Sequence, residues 1–127
     1  MYPHDVPSAC ASACATADAR RYGWQAGCCD IATLMFATHE MPRGARRRVL
    51  RNLLRLARKK VLLVDIIPTF EPNEMMLSGE PFVLDYLANI ESDVDSSIDP
   101  CQWEVRRIDV VGSHVRMWKF ERLDWDI

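Results

Sequence analysis

The residues best equipped for chemistry in this 127-residue chain stand at the ends of two apolar runs. Thr38, His39 and Glu40 follow the run from Ile31 to Ala37, and Asp65 lies near the end of the run from Val61 to Ile67. An imidazole titrates near neutrality and can take a proton from a nucleophile, so His39 is a candidate general base with Glu40 beside it. The same pair can instead cap the helix that begins beyond Pro42. A zinc-protease motif is excluded, because it needs a second His four residues after the first, and Arg43 stands there. Asp65 interrupts apolar sequence, where a carboxylate is costly unless it is paired or hydrogen-bonded. It either faces a ligand or is satisfied internally by an arginine or by backbone donors.

Cysteines offer less. Cys10, Cys14, Cys28, Cys29 and Cys101 are odd in number, form no regular framework and follow no secretory signal. They read as reduced thiols of an intracellular, cytoplasmic protein, with organelle targeting left open. Cys10 and Cys14 have no second pair at a matching spacing, so no metal ligands are assigned.

The candidate groups can converge only if the two apolar runs are neighbouring strands. Each is nearly continuous in apolar residues, which predicts parallel strands covered on both faces. Between them, Ala45, Val49, Leu53 and Leu56 recur at helical spacing over residues 43–59. Arg47, Arg51, Arg55 and Arg58 line the other side of that helix. Arg58, Lys59 and Lys60 suit its negative pole. Strand, helix and strand in this order predict a right-handed crossover. Pro81 then opens a second helix carrying Phe82, Leu84, Leu87 and Ile90, with an acidic tail of Glu91, Asp93, Asp95 and Asp99. Two final β-like runs, Trp103 to Val111 and His114 to Leu123, flank Gly112-Ser113 as a hairpin. His114 and Trp118 share a face of the last run, as packing residues or as the border of a pocket.

Residues 1–27, with the stretch SACASACATADA, read as an irregular leader, and residues 28–127 as the ordered part. A composition of 49% hydrophobic and 27% charged residues fits a single globular domain, and no apolar run is long enough to span a bilayer. The net charge of -2 conceals an asymmetry. Residues 1–60 hold eleven Lys or Arg against four Asp or Glu, whereas residues 61–127 hold five against fourteen. Like charges four apart on a helix repel, so Arg47, Arg51 and Arg55 are relieved either by the chain's own acidic half or by an acidic partner such as nucleic acid.

The stretch CDIATLMFATHEMP, the Arg/Leu helix ending ARKK, then VLLVDIIP, SGEPFVLDYLANIE and a terminal hairpin resemble the C-terminal half of a class I, Rossmann-like S-adenosylmethionine-dependent methyltransferase. The resemblance covers residues 28–123 and implies a partial Rossmann-like α/β sheet in the order β-α-β-α-β-β. It implies methyl transfer from S-adenosylmethionine to an unidentified acceptor. Phe36, Ala37 and Thr38 then fall at cofactor-binding positions, His39 and Glu40 at catalytic ones, and Asp65 and Tyr86 near substrate, with ordinary helix surface the other reading of Tyr86. The family's Gly-rich turn after its first strand has no counterpart here, nor has the acidic residue that holds the cofactor's ribose. This half-fold is expected to be cofactor-deficient alone, with its first strand left open either for a partner chain that completes the sheet or because the chain is a truncated product. A non-enzymatic module, binding an acidic partner or nucleic acid through the basic helix, is the alternative.

Overall fold

The computed structural model describes residues 26–123. The chain is a mixed α/β fold around a four-stranded open sheet. Strand β1 (Cys29–Met35) leads through a single 3-10 turn (Thr38–Glu40) into helix α1 (Arg43–Leu56), and strand β2 (Ala57–Ile66) follows. A short helix α2 (Glu74–Gly79) and a long helix α3 (Val83–Ser97) precede the hairpin of β3 (Trp103–Val111) and β4 (Val115–Arg122). The strand order is β1-β2-β4-β3. β1 and β2 run parallel, and the hairpin joins antiparallel through β4.

Where an element departs from its sequence reading, the reason is definable. α1 stops at Leu56 rather than running on to Lys59, because Ala57 and Lys60 pair with Cys29 and Ile31 of β1. Pairing between strands has overridden the helical propensity of the ARKK segment. Arg58 therefore sits in a strand and meets Asp30 across it, instead of standing at a helix end. α3 runs to Ser97, so Glu91, Asp93 and Asp95 belong to the helix and are not a tail beyond it. The leader reading covers residues 1–27, of which 1–25, with Cys10 and Cys14, lie outside the described residues. Gly27 is held in place, its N–H donating to the Arg55 carbonyl. In the hairpin, Gly112 takes a positive φ of 41° that glycine alone adopts freely.

Alternation of the strand side chains decides where the core lies. Ala32 and Leu34 of β1, Val61 and Leu63 of β2, and Trp118 and Phe120 of β4 are buried against Leu50 and Leu53 of α1 and Ile90 and Val94 of α3. Both long helices thus cover one face. The strands are not covered on both faces as expected, since the opposite face carries Thr33, Met35, Leu62, Val64, Met117 and Ile108, half-buried or exposed. Met35 is 56% exposed. No disulfide joins the described cysteines, and no helix among the described residues is long and apolar enough to cross a membrane.

The opposed charges of the two chain halves meet between the helices. Arg46 is fully buried, its guanidinium donating from Nε to Asp93 at 2.8 Å, from Nη2 to Asp85 at 2.7 Å and from Nη1 to the Met41 carbonyl at 3.2 Å. Arg43 reaches the second oxygen of Asp93 at 3.1 Å. Arg47 stands 4.0 Å from that oxygen, while Arg48 and Arg51 are exposed. Part of the basic helix is therefore neutralised from within by α3, chiefly through Arg43 and Arg46, while of Arg47, Arg51 and Arg55 it is Arg47 that comes within 4.0 Å of an α3 acid.

Candidate functional site

β1 and β2 end side by side, and their carboxyl ends deliver the site. The chain leaves β1 at Phe36, which takes a positive φ of 55° and donates its N–H to the Val64 carbonyl. A non-glycine residue in that region is uncommon and is held there by its surroundings. The bend brings Ala37 and the Thr38–Glu40 turn over the end of β2, where Asp65 faces the helix side of the sheet.

Asp65 is fully buried and organises the corner. Its Oδ2 accepts from the Thr38 hydroxyl and, at 3.1 Å, from the His39 backbone N–H. Its Oδ1 accepts from the Ile66 N–H at 2.7 Å and lies 2.8 Å from Nδ1 of His39. Since a carboxylate only accepts, Nδ1 carries a proton. Four donors thus satisfy one buried carboxylate. The sequence reading allowed an arginine or backbone donors; the partners prove to be Thr38, His39 and two amides.

His39 is buried, with 7% of its surface exposed. Nε2 points away from Asp65 and lies 3.3 Å from Oε1 of Glu80, the residue that closes α2. The Glu80 carboxylate is part-buried, and its Oε2 is buried without a hydrogen-bond partner. Glu40, exposed on the 3-10 turn, brings a carboxylate oxygen to the same place, so that one ligand atom from each of His39, Glu40 and Glu80 lies within 4.8 Å of the others. Glu80 is the site residue that sequence reasoning missed. It lies in the stretch SGEP, between Gly79 and Pro81, where a loop glutamate gives no period to follow.

Of the other site candidates, Phe36 is half exposed on the crest of the bend, and Ala37 is half buried behind it. Thr38 is fully buried with its hydroxyl committed to Asp65. Tyr86 is not helix surface. It is fully buried, its ring stands edge-on to His39 with centroids 6.2 Å apart, and its hydroxyl donates to the Ile66 carbonyl. His114 and Trp118 diverge: His114 sits in the hairpin turn against Phe70, while Trp118 is in the core and donates its indole N–H to Glu91.

Burial, with the nearby Asp65 carboxylate adding to it, pushes the Tyr86 phenol well above its ordinary value of 10.0. The unfolded chain then releases this proton above about pH 10 while the folded chain keeps it, so stability is lost as pH rises past that point. Between about pH 10.5 and 11.5 the unfolding free energy should fall more steeply than in Tyr86→Phe, by about 1.4 kcal/mol per pH unit. Parallel alkaline profiles of the two proteins in urea denaturation would contradict this assignment.

No family model matches the chain, and no curated protein aligns with it significantly. Its class is therefore defined by its own geometry: a mixed α/β fold with an open sheet and a polar corner at the carboxyl ends of its parallel strands. Open α/β sheets bind their ligands at this end.

Proposed function

We propose that the chain is the acceptor-side part of an S-adenosylmethionine-dependent methyltransferase, with the Thr38–Glu40 turn as the surface that meets the methyl acceptor. The observation that carries the reading is the convergence of Thr38, His39 and the Ile66 amide on buried Asp65. A buried carboxylate with every partner drawn from two strand ends fixes one geometry at the place where such sheets bind ligands. The topology supports it too, since a parallel pair followed by an antiparallel hairpin is the order the resemblance implies.

The described residues do not by themselves fit the methyl donor. Thr38 has no hydrogen-bonding capacity left over as a donor, because its hydroxyl serves Asp65. Phe36 and Ala37 offer one wall, on a strand whose outer edge is unpaired among the described residues. The remaining walls, in this proposal, come from polypeptide that pairs with the β1 edge. The chain's own contribution is positioning: Asp65 holds the corner rigid, and the corner orients the acceptor.

Amide NMR of the full chain tests this. Addition of S-adenosylmethionine at millimolar concentration should shift the resonances of residues 36–40 and 65–67 with fast-exchange, weak binding. Absence of any shift, or shifts centred on the β3–β4 hairpin, would overturn the proposal, and tight binding would overturn the statement that donor walls are missing.

A further inference from the structure

We infer that His39, Glu40 and Glu80 form a binding site for a divalent cation of the Zn2+ type. The site goes beyond the methyl-transfer reading and does not depend on it. Three observations outside one another point the same way. The first is the orientation of His39: with Nδ1–H held by buried Asp65, Nε2 is the nitrogen turned toward Glu80. A carboxylate behind a histidine whose other nitrogen faces outward is the usual arrangement around metal-ligating imidazoles, because it fixes the tautomer and raises ligand basicity.

The second is spacing. Zinc bonds to imidazole nitrogen and carboxylate oxygen are about 2.0–2.2 Å long, so two ligands at a tetrahedral angle stand about 3.4 Å apart. Nε2 of His39 and Oε1 of Glu80 are 3.3 Å apart, and one ligand atom from each of His39, Glu40 and Glu80 lies within 4.8 Å of the other two. The third is the buried Oε2 of Glu80, which has no partner. A buried carboxylate oxygen left unsatisfied is costly, and a cation held by both oxygens of the Glu80 carboxylate would satisfy it.

One imidazole and two carboxylates suit a borderline ion such as Zn2+ better than Mg2+, which prefers oxygen ligands and keeps its waters. Three protein ligands leave a fourth position open, as in sites that present a metal to a small molecule. Sequence reading could not assign this site, since the third ligand is brought in by α2, beyond the whole strand-helix-strand unit.

Calorimetric titration of the full, reduced chain with Zn2+ tests the inference, with Co2+ as a spectroscopic probe. The expected result is one ion per chain at micromolar affinity, and a Co2+ spectrum without the thiolate charge-transfer band that cysteine ligation would give. Glu80→Gln and Glu40→Gln change part-buried or exposed side chains, so both variants should fold. Each should weaken binding about 10- to 100-fold, as should Asp65→Asn through His39. No saturable binding, affinity unchanged in Glu80→Gln and Glu40→Gln, or a thiolate band would each overturn the site. The titration contains neither methyl donor nor acceptor, so its failure leaves the methyltransferase proposal standing, and failure of the donor titration leaves the cation site standing.

Discussion

Asp65→Asn should lower the unfolding free energy by about 3 kcal/mol or more, although it changes one atom and keeps the side chain's shape. Both oxygens of Asp65 are occupied, and every partner is a donor: the Thr38 hydroxyl, the His39 amide, the Ile66 amide and Nδ1–H of His39. An asparagine supplies one accepting oxygen and places an NH2 group against the other donors. Hydrogen bonds to a charged group contribute about 1.5–3 kcal/mol each, and the lost ones leave buried donors unsatisfied. Removing the buried charge recovers part of this. The loss should concentrate in the corner, so amide exchange of residues 37–41 and 65–67 should accelerate beyond that of the α1–α3 core. A uniform loss, or a change of under about 1 kcal/mol, would show that Asp65 does not organise the corner.

Arg46→Met should be at least as damaging, by about 3–5 kcal/mol, since it leaves the fully buried Asp93 with a lost partner. Arg43 reaches the same carboxylate, but from an exposed position, and can replace only part of the interaction. Arg46→Lys should recover little. A single ammonium cannot span Asp93, Asp85 and the Met41 carbonyl as the guanidinium fork does. The double variant Arg46→Met, Asp93→Leu should regain much of the stability, because the desolvation of both ions disappears together. Urea denaturation of the wild type, Arg46→Met, Asp93→Leu and the double variant gives the coupling energy directly. Additive single-variant effects would show that the buried pair is not coupled.

The parts of this structure that sequence revealed are those set by local pattern. Both parallel strands, the two long helices and the hairpin follow from apolar runs, helical spacing and Gly112. Boundaries failed where contacts between elements outvoted propensity. Ala57 to Lys60 would extend a helix in isolation, but pairing with β1 makes them a strand. Asp93 looks solvated within an acidic run, yet α3 continues and presents it to Arg46. Continuous apolar runs suggested cover on both sheet faces, whereas both helices lie on one, leaving Met35 and Ile108 exposed.

The site was legible to the same degree. Thr38, His39, Glu40 and Asp65 stand out as polar residues ending apolar strands, and the structure brings them together. That Asp65 would bind the residues following β1, and not an arginine, depends on parallel registry that places Met35 opposite Val64. Glu80 depends on a loop conformation with no sequence period, and so it emerged only from the fold.

Everything proposed for the corner rests on Asp65 holding His39 by Nδ1. Long-range 1H–15N NMR of the imidazole rings measures this directly. The account predicts a protonated Nδ1 on His39 near neutral pH, with a slowly exchanging, hydrogen-bonded proton that disappears in Asp65→Asn. A His39 ring protonated at Nε2 alone, or one exchanging as fast as exposed His114, would contradict it.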